Sequence, residues 1–360
     1  MKIGILTFHW AQNYGAVLQC YALKSKLEEM GHQVCVIDRV PQYPGILRDV
    51  YHRVSFRHFW SWLKFSAFSR HYLVPKTRRY ASMEALMRHF AEEKLEAVVV
   101  GSDQVWRWGM MGYNYFLDFV EGKATRKYAY AASFGLSHWT DNGLSTAQVS
   151  RLLRDFSAVS VRERSGVTLC RRIFGLDAVQ TIDPTLLYDA VFYENHLLKG
   201  HPRKADIQVV SCVLGKENRD QCKDISRWAG KHGLSYIDLY HTSCTFPALV
   251  QSRMRCLHLS VQEWMDHIRC AEYVVTNSFH CMVFAILFRR QFVVMDNHSG
   301  GTDRIRTLLS VLGLERRFLP MVNDWARLRD RLDEPVDYVG VRERLGELRK
   351  SSLAFLERVV

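Results

Sequence analysis

The chain has 360 residues, 48% of them hydrophobic and 24% charged, and a formal net charge of +12 from 49 basic and 37 acidic side chains. This composition excludes extended disorder and low complexity, and the length calls for two domains. The positive balance suits a phosphate-bearing substrate, nucleic acid or a membrane surface, but the motifs of nucleic-acid binders are absent, so no nucleic acid is expected.

The nine cysteines form no CxxC pair, which argues against both a disulfide framework and a zinc site. Met1-Lys2 leads directly into Ile3-Gly4-Ile5-Leu6, with no signal-peptide pattern. No run reaches about 18 apolar residues. The expectation is a soluble, cytoplasmic protein without a metal.

A strand over Lys2–Phe8, a loop from His9 to Gly15 and a helix open the chain. The helix carries Ala16, Cys20, Leu23, Leu27 and Met30 on one face, and Gly31 suits its end. A second strand, Gln33 to Ile37, ends at Asp38, which makes a βαβ start with a parallel sheet. The stretch Val40–Tyr80 holds ten aromatic residues, many basic ones and one acid, Asp49. It reads as a helical insertion with a buried aromatic side, or as a peripheral contact with anionic lipid head groups or a lipid-linked or acidic acceptor.

The α/β pattern then resumes. A helix near Ser82–Lys94 precedes strands at Ala97–Val100 and Tyr128–Ala132. A helix near Ser145–Phe156 precedes strands at Ala158–Val161 and Ala178–Ile182. The pattern lapses from Tyr188 to Lys204, so domains are expected at 1–187 and 205–360, with the last helix free to pack back on the first. The second domain reads as strand Ile207–Leu214, helix Arg219–His232, strand Ser235–Leu239 and a helix with the capping box Ser260/Glu263. Strand Glu272–Thr276, helix Ser278–Phe288, strand Gln291–Met295 and helix Asp303–Leu312 complete it. Two doubly wound Rossmann-like domains facing across a cleft are the expected architecture.

In such sheets ligands bind where strands end. His280, between strand and helix, can move protons near neutral pH, while Ser278 suits an N-cap. A helix start there also favours an anion. Arg162 follows a strand, and Arg304 and Arg306 follow a Gly-Gly turn; an arginine fork suits carboxylate or phosphate. The loop after the first strand lacks GxGxxG but offers Trp10 and Tyr14 to stack on a sugar, and the polar Asn13. Asp103, Gln104 and Trp106 form another acceptor-side cluster, and Asp183 before Pro184 suits either a site or a turn.

Six pieces in order resemble the polysaccharide pyruvyl transferase family. They are Lys2–Thr7 with Asn13–Gln19, Gly101–Trp106, Tyr130–Gly135, Ser160–Glu163, Asp183–Thr185 and Thr276–His280. The resemblance implies a fold like that of two-domain GT-B glycosyltransferases. It implies transfer of pyruvate from phosphoenolpyruvate onto two hydroxyls of a sugar in a surface or exopolysaccharide, with ketal formation, phosphate release and no cofactor. It implies Arg162 and His280 at the phosphoenolpyruvate site, beside Ser278 and Phe279. Some members carry arginine where this chain has Ser278, and many carry glycine where it has Cys281, so part of the anion binding is expected from Arg304 or backbone N–H groups. In the corresponding mechanism His280 protonates the methylene carbon and Asp103 deprotonates a sugar hydroxyl. The alternatives are a GT-B glycosyltransferase using a nucleotide sugar and a non-catalytic member of a polysaccharide assembly complex.

Overall fold

The computed structural model describes residues 1–41, 56–107, 112–120, 122, 124–139, 141, 143–201, 208–215, 219–239, 259–296, 300–320 and 325–359. Part of the basic, aromatic stretch, 42–55, thus lies outside the described residues. The chain forms two compact units, Met1–Arg48 with Ser69–Leu187 and Leu345–Val360, and Asp49–Phe68 with Tyr188–Arg344. The division falls at Leu187, where the alternating pattern lapses. Residues 56–68 group with the second unit.

The first unit contains β1 (Lys2–Leu6), α1 (Tyr14–Glu29), β2 (Gln33–Val36), β3 (Ala97–Val100), β4 (Arg126–Ala132), β5 (Ala158–Val161) and β6 (Val179–Gln180). The six strands are parallel in the order β2-β1-β3-β4-β5-β6. Strands buried on both faces must be apolar throughout, as Ala97–Val100 is. The sheet is flanked by α1 and by helices that follow β2, β4 and β5. α2 (Phe56–Tyr72) starts in the second unit and ends in the first. α3 (Met83–His89), α4 (Thr146–Arg154) and α5 (Arg164–Phe174) belong to the first. In α2, Ser61, Phe65 and Phe68 are buried while Trp62 is half exposed, the amphipathic helix expected of this composition. β6 is shorter than the sequence suggests. It is an edge strand with both residues exposed, and edge strands are commonly short.

The second unit contains α6 (Ala190–His196), β7 (Val209–Cys212), α7 (Arg219–Lys231), β8 (Tyr236–Asp238), α8 (Val261–Cys270), β9 (Tyr273–Thr276), α9 (Phe279–Leu287), β10 (Gln291–Met295), α10 (Thr302–Leu312), β11 (Phe318–Leu319) and α11 (Trp325–Asp333). Its five strands are parallel in the order β11-β10-β9-β7-β8. The capping box forms at α8: Ser260 Oγ accepts from Glu263 N–H, and Glu263 accepts from Ser260 N–H. α9 is buried along its whole length, and apart from His280 its sequence is apolar throughout.

A last helix, α12 (Tyr338–Val359), leaves the second unit and ends in the first. There Ser352 Oγ accepts from Ile182 N–H at 3.1 Å, and Arg349 Nε donates to Leu186 O at 2.6 Å. Phe355 packs on Tyr130, with ring centroids 6.2 Å apart.

In the first sheet the chain passes from β1 outward to β2, then returns to the other side of β1 at β3. The second sheet reverses in the same way between β7 and β9. These two reversals are topological switch points, where ligands of open α/β sheets bind.

Candidate functional site

The switch point of the second sheet is built by the turn after β9. Thr276 Oγ1 donates to Cys212 O at 2.6 Å and accepts from Ser278 N–H at 2.9 Å. Asn277, fully buried, holds Leu214 beyond the neighbouring strand through both ends of its amide. Ser278 is the N-cap of α9, with its Oγ 3.5 Å from Cys281 N. Cys281 is buried, and its thiol hydrogen-bonds with that of Cys212; this contact and burial push the Cys212 thiol well up.

Phe279 and His280 form the first turn of α9, where a helix carries its partial positive charge. Phe279 is buried between two groups of interest. The His280 ring stands edge-on to it at 5.2 Å, and the Arg304 guanidinium lies over its face at 5.5 Å. Gly301, at φ +91°, caps α10, and a Cβ there would come within 3.1 Å of Arg304 Nη2. The Gly-Gly turn thus leaves room for the guanidinium. His280 and Arg304, 24 residues apart in sequence, belong to one cluster.

The first sheet presents a row of polar residues at its strand ends. Thr7 Oγ1 donates to Ser102 O at 2.9 Å, linking β1 to β3 across the switch point. Gln19, a fully buried amide on α1, completes the link: Nε2 donates to Thr7 Oγ1 at 2.8 Å, and Oε1 accepts from Ser102 N–H at 2.9 Å. Gly101, at φ +109°, must be glycine, because a Cβ would lie 2.4 Å from Tyr130 O. Beyond it Asp103 adopts φ +76°, a conformation that persists only where surroundings impose it. Asp103 O accepts from Ser133 N–H at 2.9 Å and from Val105 N–H at 2.8 Å.

Arg162 and Asp183 follow β5 and β6. Arg162 Nη1 donates to Asp183 Oδ2 at 2.6 Å, and its Nη2 lies 3.5 Å from Asp103 Oδ1. Asp183 combines both roles open to it from sequence. Oδ2 meets Arg162, while Oδ1 accepts from Thr185 N–H at 3.0 Å and Thr185 Oγ1 at 2.7 Å, a turn of the Asx kind. Burial opposes the Arg162 charge, but Asp183, Asp103 and Glu163 outweigh it and push its pKa up. Glu163 Oε1 accepts from Ser133 Oγ at 2.9 Å and Phe134 N–H at 2.8 Å, tying β5 to β4.

The remaining sequence candidates are placed as follows. Asn13 is exposed and caps α1, its Oδ1 accepting from Ala16 N–H at 3.2 Å. Tyr14 is buried in the first turn of that helix. Trp10 is half-buried, edge-on to Phe8 at 5.8 Å, with its Nε1 3.5 Å from Tyr115 Oη. Trp106 is a core residue: its Nε1 donates to Tyr115 O at 2.9 Å and its ring stacks on Phe116.

Sequence reasoning passed over a buried dyad. His9 Nε2 lies 2.9 Å from Asp38 Oδ1, and Arg79 Nε donates to Asp38 Oδ2 at 3.2 Å. Burial opposes the Asp38 charge, yet the His9 hydrogen bond and charge, with Arg79 and Lys76, hold its carboxyl at about 2. Burial lowers the pKa of His9. The available signal was a histidine after β1 and an aspartate after β2, neighbouring parallel strands whose ends must adjoin. Among the described residues no group of three or more His, Cys, Asp or Glu could hold a metal ion.

The pattern described as polysaccharide pyruvyl transferase matches residues 13–299. The chain belongs to the polysaccharide pyruvyl transferase family. In this pyruvyl transferase family member the match takes in Asp103, Arg162, Asp183 and the turn that carries His280, and leaves β1, Trp10 and Arg304 outside. Comparison with curated proteins finds no match. Among solved structures, the UDP-GlcNAc 2-epimerase from Methanocaldococcus jannaschii is similar at 10% identity and TM-score 0.53, over 95% of this chain and 98% of that one. The epimerase from Neisseria meningitidis bound to UDP-GlcNAc has 10% identity and TM-score 0.54, over 99% and 100%. The spinosyn forosaminyltransferase SpnP has 12% identity and TM-score 0.52, over 99% and 98%. These likenesses bear out a two-domain α/β fold of the GT-B type. Among the described residues no helix is long and apolar enough to cross a membrane.

Proposed function

We propose that the chain transfers pyruvate from phosphoenolpyruvate to two hydroxyls of a sugar acceptor, forming a ketal and releasing phosphate. The observation that carries this reading is the cluster at the second switch point: His280 in the first turn of α9, beside Phe279, with Arg304 over the same ring. A helix N-terminus and a guanidinium suit a small molecule bearing a carboxylate and a phosphate. His280 is the group there fitted to deliver a proton.

In the proposed sequence, the imidazolium of His280 protonates the methylene carbon of phosphoenolpyruvate, and C2 becomes electrophilic. The first sugar hydroxyl attacks C2 and gives its proton to Asp103. Phosphate leaves, the second hydroxyl closes the ketal, and of the two hydroxyl protons one is balanced by the new methyl hydrogen and the other leaves with phosphate. Arg162, Arg304 and the α9 N-terminus are the proposed donor-binding groups, while Trp10, Asn13 and Tyr14 are the proposed sugar-binding residues. No cofactor is required. Phosphoenolpyruvate is a cytoplasmic metabolite, so the reaction belongs on that side of the membrane. The basic, aromatic stretch 40–80 fits peripheral contact with a membrane carrying a lipid-linked acceptor, and co-sedimentation with anionic liposomes tests that part.

The decisive experiment incubates the full chain with phosphoenolpyruvate and a panel of free and lipid-linked glycans, read by mass spectrometry and phosphate release. A ketal adduct dependent on phosphoenolpyruvate supports the reading. Turnover of nucleotide sugars in its place makes the chain a glycosyltransferase, and binding without turnover makes it a non-catalytic member.

A further inference from the structure

α4 and α5 connect β4 to β5 and β5 to β6, three strands that neighbour one another in the first sheet. Right-handed crossovers therefore set both helices on one face of it, where they pack side by side. Their inward residues are apolar: Val149, Leu152 and Leu153 on α4, and Leu169, Cys170 and Phe174 on α5, are buried. The outward residues include Arg151 and Arg154 on α4 and Arg164, Arg171 and Arg172 on α5, all exposed. Neither helix contains an aspartate, a glutamate or a lysine. From Arg164 to Arg172 the stripe runs about 12 Å along α5, at about 1.5 Å per residue.

Helix electrostatics accounts for part of this face only. Cations near a helix C-terminus are favourable, which suits Arg151, Arg154, Arg171 and Arg172. An N-terminus favours acids, yet neither helix has one in its first turn, and α5 opens on Arg164, where the dipole opposes a cation. Other surface cations of this unit carry carboxylate partners, as Lys24 does in Glu28 and Arg78 in Glu92. Here Asp155, just past α4, faces Lys127 at 3.7 Å, and Asp177 meets Arg171 at 3.7 Å with both side chains largely in solvent. Among the described residues Arg151, Arg154, Arg164 and Arg172 have no ion pair. A face of one sign repels itself and attracts an anionic surface. Beside the arginines stand two aliphatic side chains, Ile173 at 42% exposed and Val179, on the edge strand β6, at 43%. A soluble polyanion makes no use of them. A bilayer does both things: its phosphates meet the guanidinium groups, and its head-group region buries the aliphatic side chains.

We propose that the outward face of α4 and α5 is a docking surface for an anionic lipid bilayer, with the five arginines on head-group phosphates and Ile173 and Val179 at the interface. The contact is separate from the stretch 40–80 and does not depend on the reaction proposed above. Arg164 stands three residues beyond the end of β5, so the face reaches the carboxyl edge of the first sheet. A bilayer held there lies beside the edge at which the sugar acceptor is proposed to bind.

The test is co-sedimentation of the full chain with vesicles of phosphatidylcholine and phosphatidylglycerol in equal parts, and with vesicles of phosphatidylcholine alone. The chain should bind the first and not the second, and should release in about 1 M salt, where the screening length falls to about 3 Å. With Arg151→Gln, Arg154→Gln, Arg171→Gln and Arg172→Gln together, partitioning should fall by about 10²-fold or more, since each basic residue near an anionic surface contributes about fivefold. Lysine at the same four positions should keep most of the binding, because the bilayer reads charge. Ile173→Ser with Val179→Ser should weaken it by about threefold. Trp62→Ser with Arg70→Gln, both on α2, should change it by less than about twofold. If the fourfold glutamine variant does not fold, Arg151→Gln with Arg154→Gln, and Arg171→Gln with Arg172→Gln, should each lose about 25-fold. Unchanged partitioning of the glutamine variants, or loss in the α2 variant in their place, overturns the proposal. So does equal binding to phosphatidylcholine alone. Binding of a double-stranded DNA fragment as tight as that of the anionic vesicles, and abolished by the same glutamines, would make the face a site for a soluble polyanion and overturns it as well.

Discussion

Asn277 grips Leu214 with both ends of its side-chain amide. Oδ1 accepts from Leu214 N–H at 2.6 Å, and Nδ2 donates to Leu214 O at 3.0 Å. The pair ties the loop after β7 to the turn after β9, so the switch point that carries His280 is braced from both strands. Asn277→Ala should lower unfolding stability by about 1–3 kcal/mol, the range for leaving partly buried backbone groups without partners. Asn277→Asp keeps the acceptor but sets a buried carboxyl group against Leu214 O, so it should cost at least as much. Denaturant unfolding measures both, and an Asn277→Ala midpoint equal to that of the parent would show that the amide clamp is dispensable.

His280→Gln keeps a polar side chain of similar length but cannot supply an imidazolium. Phosphate release should fall by about 10²–10⁴-fold, the usual contribution of a general acid. The far-ultraviolet circular dichroism should remain that of the parent, because α9 is held by its buried apolar residues and the Ser278 cap. Retained turnover would move the proton-transfer role elsewhere.

Gly301→Ala tests the seat of Arg304. The new Cβ would meet the guanidinium at 3.1–3.3 Å and force a left-handed alanine at φ +91°. The expected result is a KM for phosphoenolpyruvate raised by about tenfold with little change in kcat, as for loss of ground-state binding. A defect confined to the acceptor would remove Arg304 from the donor site.

Acid should loosen the first unit through Asp38 and His9. Asp38 is held at about 2 against an ordinary 3.8, so its folded form binds its proton less readily than the unfolded chain. That stability is present above the unfolded value and is lost as pH falls from about 4 toward 2. It amounts to at most about 2 kcal/mol, and less because Arg79, one of its partners, is largely exposed and screened. His9, lowered by burial, acts in the same direction beginning near its ordinary value of 6.5. Asp38→Asn should therefore flatten the acid side of the unfolding curve, and an unchanged slope between about pH 4 and 2 would contradict the assignment.

Much of the architecture was legible in local pattern. Strands Ala97–Val100, Ala158–Val161 and Gln291–Met295 lie where their β-branched and apolar runs place them, and the Ser260/Glu263 box starts α8. α5 was overlooked because it follows directly on the Arg162-Glu163 motif, with no glycine or proline between strand and helix. β11 pairs only Phe318 and Leu319 with β10, too few residues for any periodicity to register.

The sequence by itself determined the two α/β halves, the motif order and the residue types able to handle an anion and a proton, because these depend on period, strand ends and side-chain chemistry over a few neighbours. Only the tertiary structure decided the partnerships. Strand order puts the reversals at β1/β3 and β7/β9, brings Arg304 to the Phe279–His280 turn and His9 to Asp38, and sets Arg162 between Asp103 and Asp183. The physical reason is that the charge an arginine offers a ligand depends on the carboxylates packed around it. Arg162 reads from sequence as a free cation at a strand end, but folding supplies it with carboxylates 59 and 21 residues away.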